Sequence, residues 1–600
     1  MPAVKLPKAW DLTTGSSAVT LAVVDTGLGI YRPGTGLDLL PDFPRARIVS
    51  PWSAYSISDA ESYWRDVVGH GTAVTGVAAA LGNNQVGIAG ADWQVNIMPV
   101  HVADSEEMAT SVVAAGVVWA VDHGARVINA SFGGGEPSQT EKAAFEYAVS
   151  RGAMVVAAAG NDGRSNFISY PAALPGVIAV GSTDSSRQVS SFSNKGYELD
   201  LVAPGENILT YGIANDADGR KYVLRTYSGT SFSTPLVAGV TSLMLARNPQ
   251  LTRQQVEDIL CTTADDLGPA GWDPESGYGL LDAYEAVLCA GDKRSPEVSF
   301  SAPADGAEVS GLVQLVVNAR DDIRLGKLEL YLDGNLELTY LSKAPRSWDE
   351  SSQGGLAISD MTSPFRPRFD STGLPDGSVH VIKAVAYDVT GNRREASVTV
   401  KVKAAAGTSA VTFRDVSTSH PYYTAIKGLV SCGIINGFSD GTFRPSNPLM
   451  RQQFAKMIVL SMQLPVSEQD RCPFRDVSLS GPSSLYPDNY IAVAAARGIT
   501  TGYADGTFRP ASNITRAQVI TMIVRAARNL MPGSLQAPPS SYRGVVRGAP
   551  DAHAENVRWA EYNGLLNGLV GLGPTWNPNA KASRGEVAQM LWNLLKKGML

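Results

Sequence analysis

Val19-Thr20-Leu21-Ala22-Val23-Val24-Asp25 is an apolar, largely β-branched run that ends on a carboxylate and is closed by Thr26-Gly27. It has no polar alternation, so both of its faces are buried in a sheet. Val127–Ala130, Met154–Ala159 and Val177–Gly181 have the same character. Between these runs, Thr72–Leu81, Thr110–His123, Thr140–Arg151 and Ser233–Arg247 carry apolar residues at helical spacing. Strands buried on both faces and alternating with helices imply a parallel sheet covered on both sides. The pattern predicts an α/β domain over residues 1–292.

The whole chain has 600 residues, too many for one core. Lys and Arg total 50 against 57 Asp and Glu, a net charge of -7. That balance excludes the basic footprint of a nucleic-acid binder. No run reaches the roughly 18 to 20 apolar residues of a membrane helix. Met1-Pro2-Ala3-Val4-Lys5 has no apolar h-region, so a secreted form would need a leader outside this sequence. Cys261 with Cys289, and Cys432 with Cys472, form two local pairs, readable as disulfides or as buried thiols.

Past residue 292 the texture changes. Val313–Val317, Lys327–Leu332, Val379–Asp388 and Ser397–Val402 alternate with period two, and Asp-Gly or Gly-Asn turns separate them. An antiparallel β-sandwich over residues 293–405 is expected, with Lys343–Asp360 as a long loop and Ala404–Ser409 as a linker. The last third repeats. Phe413-Arg414-Asp415-Val416 returns as Phe474-Arg475-Asp476-Val477, and the segment Gly437–Pro445 returns as Gly502–Pro510. A worn third copy runs from Tyr542 to Pro578. Each unit reads helix, loop, short helix, helix, ending in Gln452–Met462, Arg516–Ala527 or Arg584–Leu595. The units span 411–471, 472–535 and 540–600.

Four segments of the first domain carry chemistry. Asp25 ends a strand, His70 lies in Gly69-His70-Gly71-Thr72, Ser231 lies in Gly229-Thr230-Ser231-Phe232-Ser233-Thr234-Pro235, and Asn161 follows Ala157-Ala158-Ala159-Gly160. Taken singly, each is a cap or a turn. Together they are the parts of nucleophilic acyl transfer. A serine hydroxyl needs a base, the base needs a carboxylate on its other ring nitrogen, and the oxyanion needs donors fixed in advance.

These motifs, VVDTG, GHGT, AAGND and GTSFSTP, resemble the subtilisin-like serine proteases over about 290 residues. The resemblance implies Ser231 as nucleophile, His70 as base and then acid, Asp25 as the orienting carboxylate and Asn161 as oxyanion donor. It implies that Ser131-Phe132-Gly133 pairs with substrate backbone as an added strand. It further implies that Ala158, Ala159 and Gly160 wall the S1 pocket and that Ser169 lies near its floor. Glu106 and Glu107 fall beside the substrate channel, which would favour basic side chains upstream of the cleaved bond. The loop Gly82–Ile88 resembles the family's calcium loop, with Asn84 and the carbonyls of Gly82, Val86 and Ile88 as oxygen ligands to a structural Ca²⁺, and Asp38 or Asp42 as carboxylate partner. No metal is expected in catalysis.

The C-terminal units resemble S-layer homology modules arranged as an all-α trefoil, and the sandwich resembles bacterial Ig-like modules. The repeats imply attachment to acidic cell-wall polysaccharide, with Arg451, Arg516 and Arg584 contacting the anion. The implied whole is a cell-surface endopeptidase, secreted and wall-bound, with peptide substrates and neither nucleic acid nor membrane as partner. The competing class is a surface adhesion protein with a silent or only self-processing protease fold.

Overall fold

A computed structural model describes residues 1–31, 38–105, 107–216, 219–268, 271–342, 356–358, 363–371, 374–403, 413–462, 464–480, 484–503, 505–530, 534–535, 538 and 542–596. Glu106, the Ala404–Ser409 linker and most of the Lys343–Asp360 segment lie outside these. The chain divides into two compact units, residues 1–294 with 389–392, and residues 295–388 with 393–600.

The first unit is built on seven parallel strands: β1 (Thr20–Asp25), β2 (Trp52–Ser53), β3 (Asn96–His101), β4 (Val127–Ala130), β5 (Met154–Ala158), β6 (Val177–Thr183) and β7 (Leu201–Pro204). Their order is β2-β3-β1-β4-β5-β6-β7. The strand order reverses at β1, and that is where an open α/β sheet leaves a crevice at its carboxyl edge. β1 pairs in parallel with β3 from Thr20↔Asn96 to Asp25↔His101, and with β4 on its other side. Sequence reading misses β3 because Asn96, Pro99 and His101 break its apolar run, and β7 because its apolar run is only Leu201–Ala203 and ends on Pro204.

Helices α1 (His70–Ala79), α2 (Thr110–Asp122), α3 (Gln139–Ser150) and α4 (Thr230–Arg247) cover the sheet. Nearly all of α4 is buried, as a helix apolar on every side must be. The structure starts α1 two residues earlier than the apolar period does, and α4 three residues earlier. Their first turns hold His70-Gly71 and Thr230-Ser231-Phe232, where polar chemistry replaces core contacts. A hairpin not read from the sequence, β8 (Ile208–Asp216) with β9 (Gly219–Tyr227), leads into α4. Cys261 is buried, and its Sγ lies 3.8 Å from Asp200 Oδ1.

Asp92 is fully buried and accepts the N–H groups of Gln94 and Val95 at 2.9 and 2.8 Å. Burial pushes its carboxyl up to about 6. The folded value exceeds the unfolded one, so its contribution to stability is complete below about pH 4 and is lost as pH rises through about 6. Asp92→Asn keeps the accepting oxygen and removes the charge. Its stability at pH 8 should exceed the parent's by about 1 to 3 kcal/mol, and the gain should vanish below pH 4. Urea unfolding at the two pH values measures both.

In the second unit a six-stranded sheet runs Ala307–Val309, Arg393–Val402, Val379–Asp388, Leu325–Leu332, Asn335–Leu341, Leu356–Ile358. The sheet is antiparallel, as expected, except at its two edges, where Ala307–Val309 and Leu356–Ile358 pair in parallel. Leu356–Ile358 also interrupts the predicted long loop. The predicted strand Val313–Val317 splits at buried Leu315. Leu312–Gln314 pairs with Arg368–Asp370, while Val316–Arg320 pairs with Glu297–Ala302.

Each repeat has two helices among the described residues, in place of the three predicted: Tyr423–Ser431 with Arg451–Ser461, Asp488–Ala496 with Arg516–Leu530, and Asp551–Tyr562 with Arg584–Lys596. The repeated Phe-Arg-Asp-Val has a mechanical reason. Asp415 accepts the N–H groups of Phe443 and Arg444 at 2.8 and 2.6 Å, and Asp476 those of Phe508 and Arg509 at 2.7 Å each. The second helix of each repeat starts against the next repeat. Gln452 N–H donates to Pro510 O, Ala517 N–H to Pro578 O, and Gly585 N–H to Pro445 O, which closes a ring from the first repeat to the third and back. Helix-start donors that would otherwise lack partners are thereby used between repeats.

Candidate active site

Asp25 comes off the carboxyl end of β1, fully buried. Its Oδ1 accepts the Thr26 N–H at 2.8 Å and faces His70 Nδ1 at 2.8 Å. Burial beside a carboxylate fixes the imidazole with Nδ1 protonated and Nε2 turned away from Asp25. Two features bring the first turn of α1 against β1. Gly71 is one, since a Cβ there would stand 2.3 Å from Gly27 O. Asp66, which sequence reading missed, is the other.

Asp66 is buried, and burial holds its carboxyl above the usual range. Its Oδ1 accepts from Thr26 Oγ1, Val68 N and Gly69 N at 2.9, 2.9 and 2.7 Å. Its Oδ2 accepts from Thr72 N and Oγ1 at 2.9 and 2.5 Å. Thr26 Oγ1 in turn accepts the Gly71 N–H at 2.8 Å, so one carboxylate ties both residues flanking the Asp25–His70 couple. Tyr222 of the hairpin donates its hydroxyl to Asp66 O at 3.0 Å. No local motif marks Asp66, because its partners come from three chain segments.

Ser231 lies in the first turn of α4. Its hydroxyl donates to Ser131 O at 2.9 Å, and Ser131 Oγ donates to Ser231 O at 2.9 Å. This reciprocal pair bolts the predicted nucleophile to the segment predicted to pair with substrate. Phe232 sets its ring edge-on to His70, with centroids 6.0 Å apart, so the starts of α1 and α4 converge on one spot. Asn161 stands at the rim, exposed, and its Oδ1 accepts both Thr230 N–H and Thr230 Oγ–H at 2.8 and 2.9 Å. Two donors on one oxygen fix the amide's orientation, and Nδ2 lies beside Gly229, 3.4 Å from where a Cβ on that residue would stand.

Ala158, Ala159 and Ser169 are buried, and Gly160 is half-buried. A Cβ on Gly133 would meet Ser169 Cβ at 2.8 Å and one on Gly160 would meet Ser169 Oγ at 2.3 Å, so Ser169 lies between the substrate-pairing segment and the predicted pocket wall. Phe132 is half-buried and Gly133 exposed; Glu107 is exposed, and Glu106 lies outside the described residues.

At the predicted calcium loop Asp42 lies against Asn84; the Asp38 side chain lies outside the described residues. Asp42 is fully buried and accepts from Asn84 Nδ2 at 2.6 Å, Ile88 N at 2.8 Å and Tyr211 OH at 2.5 Å. All three donors are neutral. The carboxylate and the interchangeable ends of the Asn84 amide fit a hard cation that would balance this charge.

In the repeats, Arg451 Nε donates to Phe508 O at 2.8 Å, and its guanidinium shares the Tyr503 ring with that of Arg509, at 4.9 and 4.1 Å from the centroid. Arg584 Nε donates to Phe443 O at 2.9 Å and shares the Phe438 ring with Arg444, at 4.9 and 4.1 Å. Burial first, then the neighbouring arginine, holds both guanidiniums below their ordinary value. Arg516 differs. It lies over Trp576 at 4.5 Å, and its guanidinium pairs with Glu586 Oε1 at 2.5 Å.

The Subtilase family model matches residues 16–279, the bacterial Ig domain model residues 296–384, and the S-layer homology domain model residues 412–455 and 473–520. Thermitase of Thermoactinomyces vulgaris is 37% identical over 292 residues, covering 47% of this chain and 93% of thermitase. Subtilisin DY of Bacillus licheniformis is 35% identical over 294 residues, 48% of this chain and 97% of that protein. The thermophilic serine proteinase of Bacillus sp. (strain AK1) is 37% identical over 282 residues, and the match spans 64% of its length. The chain belongs to the subtilase family of serine proteases, with its subtilisin-like α/β domain followed by a bacterial Ig domain and S-layer homology domains.

Proposed function

We propose that the protein is a cell-surface serine endopeptidase that cleaves peptide bonds through an acyl-enzyme on Ser231 and is held at the cell wall by its repeats. The observation that carries the catalytic reading is the meeting of the Asp25–His70 couple, Ser231 and the oriented Asn161 amide at one sheet edge. On substrate binding Ser131 O takes a substrate N–H, and the Ser231 hydroxyl turns from it to His70 Nε2. Ser231 Oγ attacks the scissile carbonyl while Nε2 takes the proton, and Asp25 stabilises the imidazolium. Asn161 Nδ2 and the Ser231 N–H hold the oxyanion. His70 returns the proton to the leaving amine, and water repeats the cycle on the ester.

Ser131-Phe132-Gly133 pairs with the peptide, and Ala158, Ala159, Gly160 and Ser169 form S1. Exposed Glu107 favours basic residues at P2 to P4. Asp42, Asn84 and the carbonyls of Gly82, Val86 and Ile88 would hold Ca²⁺, which braces the loop and takes no part in the chemistry. The domains are 1–292, 293–405, 411–471, 472–535 and 540–600; the ring-closing bonds of Arg584 and Gly585 support the third repeat and a trefoil of all three. A serine-reactive phosphonate should label Ser231 alone, as mapped by mass spectrometry, and should label nothing in Ser231→Ala. Absence of an adduct on folded protein would sink the protease reading.

The two interfaces with paired arginines around one ring suit an external carboxylate. The interface at Arg516 already has Glu586 as its anion. The double variant Arg451→Gln, Arg584→Gln should bind purified cell-wall sacculi about 10- to 100-fold more weakly, from the loss of charge-assisted hydrogen bonds. Arg516→Gln should stay within about twofold in binding and lose thermal stability instead, since it strands Glu586. Equal losses in all three single variants would contradict this division. Among the described residues no helix is long and apolar enough to cross a membrane.

A further inference from the structure

Beneath the turn that carries Asn161 lies a second asparagine, Asn194, with no accessible surface. Its Oδ1 accepts the N–H groups of Asp162 and Arg164 at 3.1 and 3.0 Å. Its Nδ2 donates to Ala159 O at 3.2 Å and to Ser169 Oγ at 3.4 Å. Its backbone N–H donates to Gly160 O at 3.0 Å. The turn from Ala159 to Arg164 is therefore wrapped around one side chain. Gly160 permits the approach: it has φ +107°, and a Cβ there would fall 2.2 Å from Asn194 Nδ2 and 2.3 Å from Ser169 Oγ.

Donor and acceptor halves of this amide serve different parts of the site. The acceptor half grips the two N–H groups just beyond Asn161 and so fixes the backbone from which its side chain reaches Thr230. The donor half joins one S1 wall, through Ala159 O, to the floor residue Ser169. A purely packing role would not need all the hydrogen-bonding capacity of a buried amide, and each bond here ends on the turn that carries Asn161 or on a residue predicted to form S1.

We propose that Asn194 is a positioning residue that sets the oxyanion donor Asn161 with its carbonyl oxygen and the depth of the S1 pocket with its amide nitrogen. This rests on the reading of Asn161 as oxyanion donor. Displacement of a catalytic donor by about 1 Å costs on the order of 10²-fold in rate, so Asn194→Ala should lower kcat by about 10²-fold.

The test is a double-mutant cycle on the full chain, read as kcat and KM on peptide anilides differing at P1. Asn161→Ala should lower kcat by about 10²- to 10³-fold. Adding Asn194→Ala to it should lower kcat less than threefold further, because the group being positioned is gone. Asn194→Asp keeps both accepting contacts and sets a carboxylate against Ala159 O. It should keep kcat within about tenfold of the parent while KM rises and P1 preference shifts. This isosteric variant also carries the test if the alanine variant does not fold. Multiplicative losses in the double variant, or an equal fall in kcat for Asn194→Asp and Asn194→Ala, would overturn the assignment. An Asn161→Ala enzyme with undiminished kcat would instead refute the oxyanion reading on which it rests.

Discussion

Replacing Ser231 by alanine is expected to lower kcat for peptide cleavage by about 10⁶-fold, a magnitude carried over from subtilisin, a member of the same family. The substitution removes one atom, and the structure says what that atom does at rest: it donates to Ser131 O at 2.9 Å. The reverse bond, from Ser131 Oγ to Ser231 O, does not involve the deleted hydroxyl and should keep α4 fastened to the segment after β4. Thr230 also keeps both of its bonds to Asn161 Oδ1, so the oxyanion donor stays in place. The variant should fold, melt within a few degrees of the parent and still bind peptide. A residual rate about 10³-fold above uncatalysed hydrolysis should survive, from binding and oxyanion stabilisation alone. Activity above one per cent of the parent, after correction for contaminating protease, would mean that another group forms the acyl-enzyme.

The parts of this site that were legible in the sequence are those in which chemistry and local geometry coincide in one short segment. Asp25 ends a strand apolar on both faces, and His70 and Ser231 lie between glycines and helical runs, so each could be placed on a sheet edge or a helix start. The apolar period located α1 and α4 but began two and three residues late, because the first turns spend their side chains on the site. Asp66, Asn194 and Tyr211 were not legible. Each acts on partners more than 30 residues away or on backbone groups that any residue would supply. The same cause hid the split of Val313–Val317 between two small sheets, since period two specifies faces and leaves open which neighbour a strand joins. The repeat motif gave the arginines; the contrast between Arg516 and the other two depends on Glu586, 70 positions along.

Asp25→Asn is expected to lower kcat by about 10⁴-fold while leaving the fold intact, the order of magnitude that loss of the triad carboxylate costs in subtilisin. In the native site one oxygen, Oδ1, both accepts the Thr26 N–H and faces His70 Nδ1, and Oδ2 has no hydrogen-bond partner among the described residues. An asparagine can therefore sit in two ways. With its oxygen at the Oδ1 position, both bonds and the tautomer survive; the amide nitrogen is then buried without an acceptor, and only the negative charge is lost. With the amide turned over, its N–H groups face the Thr26 N–H and Nδ1 together. That expels one bond and forces the imidazole to carry its proton on Nε2, where it cannot act as base. The kinetics separate the two. Loss of charge alone leaves a plateau in the pH–rate profile, shifted to lower pH because the imidazolium has lost its support. The wrong tautomer leaves a rate that climbs with hydroxide and reaches no plateau. The Thr26 N–H penalises the turned amide, so the plateau is the expected result. Asp66 makes that comparison meaningful, since it holds Gly69, Thr72 and, through Thr26, Gly71 without help from Asp25. His70 keeps its place in the variant, and the measured loss reports the missing charge rather than a displaced base. A fall smaller than about 10²-fold would show that Asp25 orients His70 without stabilising its charge.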